Sequence, residues 1–349
     1  MKQLNMTCHL GLLLALSLCV HGGHWSWEPS GRPIGRENET FTLEKRALTF
    51  QPRPTGARVW PDATIKYCFE NDAAKQRLLY DLEAARDLWY ASGLPEEKFK
   101  LVEVSQAECQ SNRANVLLIS YNNQGTLATT PGLQPLDATN PNSRGPTMRL
   151  SDSTSVGMLE VIPNYAHEMG HAWGLLHEHQ NPYFWTQPYV GNFAQIFDFN
   201  CQNLKDYAEV FGRNTDPTDQ TELCTDREFA SNRKFSASEY LPYRANVIGP
   251  QPFMATDADV DWESIMLYPS GAGALGTASP GNDQRLPILV RHSDGSPIGI
   301  NLKPSLKDVE ALKTLYAIDW PVTRPALVNE PSNPKSSKFR NIFRRQKCV

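Results

Sequence analysis

The sequence predicts an α+β fold, and three kinds of segment support this prediction. Short apolar or alternating runs predict β-strands at 64–69, 115–121 and 147–150. Apolar residues at helical spacing predict helices that begin near Asp72 and Ser305. A histidine-rich segment between them predicts a further helix. The chain has 349 residues, 40% of them hydrophobic, which is enough for the core of one large domain or two small ones.

The N-terminal residues are typical of a secretory signal peptide, which we assign to residues 1–22. An apolar run from Leu10 to Val20 follows a positively charged start and precedes Gly22 and Gly23. This run is too short to cross a bilayer as a helix, and no other segment is apolar enough. The protein is therefore expected to be secreted and extracellular. A buried N-terminal helix is the alternative.

Residues 23–46 predict a short propeptide because they are polar and show no periodicity. They contain one glycosylation sequon at Asn38, and they end in the dibasic pair Lys45-Arg46 before Ala47. In a secreted chain this pair indicates cleavage by a processing protease; an ordinary exposed basic pair is the alternative. The main folded domain is expected at 47–320. Residues 321–349 are Pro-rich and basic and predict a disordered tail.

Secretion favours disulfide bonds. Four cysteines in the body of the chain, Cys68, Cys109, Cys201 and Cys224, allow three pairings. We favour Cys68–Cys109 and Cys201–Cys224, because neighbours in sequence are the commoner partners. Cys348 is then left over in the tail. The chain contains no CxxC pair, so a zinc site made of thiolates is not indicated.

The predicted elements follow from local pattern. The run TIKYCF at 64–69 alternates, and Asp72 is expected to cap a helix with its apolar side formed by Leu78, Leu82, Leu88 and Trp89. A buried strand is expected at 115–121, a loop rich in Pro, Asn and Gly at 131–146, and a short strand at 147–150. The pattern is weak from 181 to about 260.

The last helix is expected to begin at Ser305, with Asp308 three residues later completing a capping box. Val309, Leu312 and Leu315 are spaced to pack against a core.

The segment HEMGHAWGLLHEHQ contains four of the eight histidines of the chain. His167 and His171 are four residues apart, so both imidazoles lie on one face of a helix and can bind one ion. Glu168 is one position further round, where a general base can hold water without taking a coordination site. Catalytic zinc needs three protein ligands and an open position. Gly174 can adopt positive φ and end the helix, so that His177 returns to the same ion.

The specificity of this pattern depends on its length. HExxH alone occurs by chance, whereas HExxHxxGxxH also requires the glycine and the third histidine at fixed positions. A helix with surface histidines is one alternative. A closed structural zinc site is another, but Glu168 as its fourth ligand would be strained beside His167.

This segment resembles the metzincin metalloproteases, and Glu178 directly after the third histidine resembles the astacin family. Three further stretches carry the resemblance: SIMLY at 264–268 is similar to the family's Met-turn, RVWPD at 58–62 to the start of the domain, and 304–316 to the last helix. The resemblance covers residues 47–316. It implies two lobes: an upper lobe with a twisted, mostly antiparallel sheet and two helices, and an irregular lower lobe.

The resemblance also implies roles for individual residues. Met266 would lie under the metal, and Tyr268 would be a further ligand that stabilises the transition state. Glu178 would meet the new N-terminal amine of Ala47 after propeptide removal. The family tends to prefer acidic side chains after the scissile bond, through a basic residue downstream of the Met-turn. Here that residue would be one of two, Arg285 or Arg291.

The chain also departs from the family pattern. The sequence after Glu178 is His179-Gln180-Asn181-Pro182, where many members have an arginine and acidic residues. The long span from His177 to Met266 predicts an insertion around Cys201–Cys224. Ala317 stands where the family has a cysteine. Residues 24–46 contain neither aspartate nor cysteine, so the family's aspartate switch for latency is absent.

We therefore predict a secreted, monomeric zinc endopeptidase with one Zn²⁺ per chain and a protein or peptide substrate. Zinc would activate water, and Glu168 would act as general base. The net charge of −4 is spread along the chain and does not indicate a nucleic-acid partner. One alternative is a secreted non-catalytic binding protein on a metalloprotease scaffold. Another is a zinc hydrolase that acts on a non-peptide substrate.

Overall fold

The computed structural model describes residues 47–52, 57–136, 145–185, 195–244 and 255–317. Three predicted segments lie outside these residues: the signal peptide (1–22), the propeptide with Asn38 and Lys45-Arg46 (23–46), and the tail with Cys348 (321–349). Part of the predicted loop at 131–146 does too. Among the described helices, none has the length and hydropathy needed to cross a bilayer.

A five-stranded sheet forms the upper half of the molecule. Its strands are β1 (Thr64–Phe69), β2 (Lys100–Glu103), β3 (Leu117–Tyr121), β4 (Ala128–Thr129) and β5 (Thr147–Leu150). Their order across the sheet is β2-β1-β3-β5-β4. The predicted strands at 64–69 and 147–150 are confirmed, and the strand expected at 115–121 begins two residues later.

The α+β class is confirmed, but the expectation of a mostly antiparallel sheet is wrong. β1 pairs in parallel with β2 and β3, and β3 pairs in parallel with β5; only β4 runs antiparallel, on β5. Parallel neighbours need a long crossover, which the helix between β1 and β2 supplies. The mostly exposed strand β2 has no apolar pattern, so the sequence did not show this crossover.

The upper core lies between this sheet and two helices, α1 (Asp72–Ala91) and α3 (Val161–Trp173), which pack on each other. Leu78, Leu82, Leu88 and Trp89 are buried, as predicted. The cap of α1 is Asn71 rather than Asp72, because the Asn71 side chain accepts a hydrogen bond from Ala74 N at 2.8 Å.

Two buried tryptophans fix α3 in place. Trp89 Nε1 donates to Ala166 O at 2.8 Å, and Trp60 Nε1 donates to Ala172 O at 2.7 Å. Buried tryptophan combines a large apolar contact area with one donor that needs a partner. Both donors find that partner on the histidine-bearing helix, so its position is set by apolar packing and hydrogen bonds together.

The lower half has its own hydrophobic core, which includes Phe197, Leu204, Phe235 and Leu267. Its helices are α4 (Tyr207–Arg213), α5 (Pro217–Leu223) and α6 (Arg227–Asn232). Its strands are β6 (Phe197–Phe199), β7 (Ala278–Ser279), β8 (Asn282–Asp283) and β9 (Leu289–Arg291), which form two-stranded sheets β6-β9 and β7-β8. Two cores with different structure agree with the predicted two lobes.

Single turns of 3-10 helix connect these elements. They span Pro61–Ala63, Glu178–Gln180, Pro182–Phe184, Cys201–Asn203, Ser236–Glu239 and Asp257–Asp259. A further short helix, α2 (Gln106–Ser111), follows β2 and carries Cys109.

Both favoured disulfides are present. Cys68 of β1 is bonded to Cys109 of α2, and Cys201 is bonded to Cys224 at the end of α5. The first links the sheet to a short peripheral helix. The second lies within the segment where the sequence predicted an insertion, and it closes the loop that contains α4 and α5. Closing such a loop removes conformational freedom from the unfolded chain.

The last helix, α7 (Leu306–Leu315), begins at Ser305 with the predicted capping box. Its Asp308 is completely buried and accepts three hydrogen bonds: from Ser264 Oγ at 2.6 Å, Ile265 N at 3.0 Å and Ser305 N at 2.9 Å. Asp308 therefore joins the end of the chain to the turn that precedes Met266. Burial, together with the nearby charge of Asp261, raises the pKa of Asp308 to about 7.

This raised pKa predicts a pH-dependent stability. The unfolded chain releases the Asp308 proton near pH 4, whereas the folded chain keeps it until about pH 7. Between these values the unfolded state binds fewer protons, so the free energy of unfolding falls as the pH rises. Asp308→Asn should make this fall smaller, measured by urea denaturation at pH 4.5 and 7.5. Asp72→Asn, at an exposed position, is the control. Equal pH dependence in all three proteins would contradict the prediction.

Candidate metal centre

The histidine segment folds as the sequence predicts, with a helix that ends at a glycine. His167 and His171 lie on α3, and Gly174 follows its last residue with φ of +121°. A Cβ atom at Gly174 would lie 2.4 Å from Phe50 Cε1 and 2.8 Å from Leu315 Cδ2. Both the backbone conformation and the available space therefore require glycine. The chain then reverses through Leu175 and Leu176 and brings His177 back towards α3.

The three histidines converge on one point. The Nε2 atoms of His167 and His171 are 3.1 Å apart. The Nε2 atom of His177 lies 3.2 Å from that of His167 and 3.0 Å from that of His171. All three side chains are buried. Zn–N bonds of about 2.0–2.1 Å at tetrahedral angles place ligand nitrogens about 3.3 Å apart, close to these separations.

The short Nε2–Nε2 distances are not hydrogen bonds between histidines. The hydrogen bonds at the Nδ1 atoms show this. His167 Nδ1 lies 2.8 Å from Ile265 O, and His171 Nδ1 lies 2.8 Å from Leu175 O. A carbonyl oxygen only accepts, so each Nδ1 carries the hydrogen. In a neutral imidazole Nε2 is then an acceptor that carries a lone pair. Burial also lowers the pKa of His167 to about 4, which keeps this ring neutral.

Gln180 completes the pattern at the third histidine. Its Nε2 donates to Ser238 O at 3.2 Å and to Leu241 O at 3.3 Å, which fixes the orientation of the amide. Its Oε1 therefore faces His177 Nδ1, at 3.0 Å. Three lone pairs thus point at one another in a buried space. This arrangement is favourable only when a cation lies between them, and imidazole nitrogens suit zinc.

Glu168 lies at the same place, on the wall of a cleft that His167 and Tyr268 also line. It is fully buried, and this burial raises the pKa of its carboxyl group to about 8. The Thr129 hydroxyl lowers the same pKa, but by less than burial raises it. A bound cation would lower this pKa, because it favours the ionised form. The carboxylate is therefore placed where it can exchange a proton with a molecule in the cleft.

Tyr268 and Met266 come from the lower half. The ring centroid of Tyr268 is 5.7 Å from that of His167 and 4.2 Å from that of His177. Burial raises the pKa of its phenol well above the usual value, so it is a neutral donor. Met266 is fully buried against α3: a Cβ atom at Gly170 would lie 2.5 Å from its sulfur. The roles that the resemblance implies for Met266 and Tyr268 stay predictions.

Glu178 is buried beside the first described residues of the chain. Its Oε2 accepts from Leu48 N at 3.3 Å and its Oε1 from Asp261 N at 3.0 Å. Ala47 is also buried, one residue before this contact. Backbone hydrogen bonds from Phe50 N to Gly174 O and from Leu176 N to Leu48 O hold this segment against the metal-binding turn. The predicted contact between Glu178 and an Ala47 amine stays a prediction.

Sequence reasoning missed two groups of this site. Thr129 on β4 approaches Glu168 from the stretch between 121 and 131, for which the sequence predicted no element. Gln180 was noted only as a departure from the family pattern. Its position three residues after His177, within a single helical turn, could have indicated the contact, because residues so spaced lie on one face.

Comparisons with known proteins give structural matches only. No family model matches the chain, and no curated protein matches it. Among similar solved structures is high choriolytic enzyme 1, a hatching-enzyme zinc protease of the medaka fish Oryzias latipes, with 14% identity and a TM-score of 0.43 over 78% of this chain and 100% of that one. A structure of myroilysin has 15% identity and a TM-score of 0.42 over 78% and 100%. Because these sequence identities and TM-scores are low, we infer the function from the residues of this chain alone.

Gln180 provides a test of the metal centre that does not depend on catalysis. Gln180→Leu should weaken zinc binding by about 10–100-fold, because His177 loses the acceptor that orients its ring. Gln180→Glu keeps that acceptor and should bind zinc more tightly than the leucine variant. Zinc affinity is measured by competition with a chromogenic chelator, with Gln202→Leu as an exposed control. Wild-type affinity in Gln180→Leu would contradict this role.

Proposed function

We propose that this chain is a secreted, astacin-like zinc endopeptidase that binds one Zn²⁺ through His167, His171 and His177. The observation that carries this proposal is the convergence of three Nε2 lone pairs, each fixed by a hydrogen bond at Nδ1. Bound zinc supplies Lewis acidity, which polarises a carbonyl group and lowers the pKa of water. The remaining chemistry belongs to residues of the chain.

Glu168 is proposed as the general base. Its buried carboxylate accepts a proton from the attacking water and passes it to the leaving amine. Tyr268, a neutral phenol beside His167 and His177, donates a hydrogen bond to the oxygen of the scissile carbonyl as negative charge develops there. Met266 and Gly174 support the site without touching the substrate: Met266 packs under α3, and Gly174 permits the turn.

A peptide is the substrate that best fits the surroundings of the site. The cleft opens between the two cores, and β4 is the outer strand of the upper sheet. Leu127, directly before β4, lines the cleft. An extended peptide can pair with such an outer strand by backbone hydrogen bonds, which places its scissile bond near the histidines.

Secretion and activation complete the proposal. The two disulfides and the N-terminal apolar run favour an extracellular protein. Cleavage after Lys45-Arg46 would create an N-terminal amine at Ala47, one residue from the contact of Glu178 with Leu48 N. Burial raises the pKa of Glu178 to about 8, so a nearby ammonium group would stabilise its ionised form.

The proposal predicts a separation of metal binding from catalysis at Glu168. Glu168→Gln should keep one zinc per chain and lose at least about 10²–10⁴-fold in kcat/KM, because the amide cannot accept the proton. We would measure zinc content and cleavage of a denatured protein. Glu160→Gln, on the residue preceding α3, is the matched control and should keep both properties.

Other outcomes would support the alternatives. Bound zinc in wild type and variant with cleavage by neither, after N-terminal sequencing has shown Ala47 exposed, would favour the non-catalytic binding protein. Hydrolysis of small esters without any peptide cleavage would favour a zinc hydrolase of another substrate class. Retained proteolysis in Glu168→Gln would exclude the proposed base.

A further inference from the structure

The substrate cleft beside the metal centre has an apolar wall. His167, Glu168 and Tyr268 form one side of it. The rest of its lining is mostly apolar and includes Leu127, Val156, Met158, Pro269 and Ala272. The polar side chain of Asn164 also lies there, but it is bonded to Met158 N at 2.8 Å and to Val156 O at 3.2 Å. Among the described residues, no lysine or arginine lines the cleft.

Arg285 lies directly behind this wall but faces a carboxylate. Its Nε and Nη2 donate to the two oxygens of Asp283, both at 2.9 Å, and its Nη2 also donates to Gly157 O at 3.1 Å. The Arg285 side chain is 1% exposed. The hydrogen bond from Arg285 lowers the pKa of Asp283, so the pair is fully ionised and carries no net charge.

The other basic residues near this region are also turned away from the cleft. The Arg291 guanidinium lies over the Trp262 ring, 3.9 Å from its centroid. Lys205 does not line the cleft, and its pKa is lowered by burial and by the charge of Arg285. The electrostatic environment therefore does not favour an acidic side chain of a substrate.

We propose that this cleft accepts an apolar side chain next to the scissile bond, and that Asp283 determines this preference by neutralising Arg285. This inference rests on the proposed peptidase function. It replaces the acidic preference that the family resemblance implied for Arg285 or Arg291. An apolar wall binds an aliphatic or aromatic side chain through burial, whereas a substrate carboxylate would lose its hydration without gaining a free cation.

The test uses two peptides that differ only in having leucine or aspartate at the position flanking the scissile bond, as identified by mass spectrometry of the products. Wild type should cleave the leucine peptide at least about tenfold more efficiently. Asp283→Asn leaves the guanidinium without its counter-charge and should shift the ratio of kcat/KM values towards the aspartate peptide by about tenfold. A wild-type preference for aspartate would overturn the proposal.

A second variant covers the case in which Asp283→Asn fails to fold. Leu127→Lys places a cation on the partly exposed rim of the cleft and keeps the Arg285–Asp283 pair. It should raise cleavage of the aspartate peptide relative to the leucine peptide, whereas Leu302→Lys, at an exposed position outside the cleft, should not. An unchanged ratio in zinc-loaded Leu127→Lys would show that this cleft does not select the side chain.

Binding to the inactive protein separates this inference from the proposed function. Zinc-loaded Glu168→Gln should bind the leucine peptide more tightly than the aspartate peptide, measured by calorimetry. Selective binding without cleavage by wild type would sustain the apolar site and reject the peptidase. Cleavage by wild type with equal binding of both peptides would sustain the peptidase and reject the apolar site.

Discussion

The structure depends on one constraint: three buried imidazoles must direct their Nε2 lone pairs at a common point. Each ring is held by a hydrogen bond from Nδ1, and the three acceptors come from different places. Ile265 O belongs to the turn of the lower half, Leu175 O to the turn after α3, and Gln180 Oε1 to the next short helix. Without these acceptors the rings could rotate or change tautomer, and the lone pairs would no longer meet. The buried acceptors around the site therefore fix the orientation of the three imidazole rings.

This constraint explains how the two halves are joined. The upper core fixes α3 through Trp60 and Trp89, so His167 and His171 are set by the larger hydrophobic cluster. The lower half supplies Ile265, Met266 and Tyr268 on a single turn, and Asp308 of the last helix accepts hydrogen bonds from the residues that begin it. A completely buried carboxyl group is a costly way to hold a turn. Here it links the C-terminal helix directly to the backbone that orients His167.

The sequence revealed the part of the site that is local. The spacing of His167, His171, Gly174 and His177 is a property of one helix and one turn, so its geometry follows from helical periodicity and from the conformational freedom of glycine. The capping box of Ser305 and Asp308 was visible for the same reason. What the sequence did not reveal arises from contacts between distant segments. Strand direction depends on the crossover to β2, which is too exposed to show a pattern. The pairing of Arg285 with Asp283 is local, but the placement of Arg285 behind the cleft depends on its hydrogen bond to Gly157 O, a distant residue in sequence. The hydrogen bond from His177 to Gln180 is local, but the orientation of the Gln180 amide is fixed by carbonyl groups about sixty residues away.

The backbone pairing of Leu48–Phe50 with Gly174–Leu176 has a consequence for the stability of the turn that carries His177. These two segments are far apart in the chain, so their contact closes a long loop and carries the entropy that such closure requires. The turn between the second and third histidines is thus completed by the earliest described residues of the chain. If an ion binds at the three histidines, its binding and the docking of residues 47–50 are linked equilibria: the ion would stabilise the docked segment, and undocking of that segment would weaken ion binding.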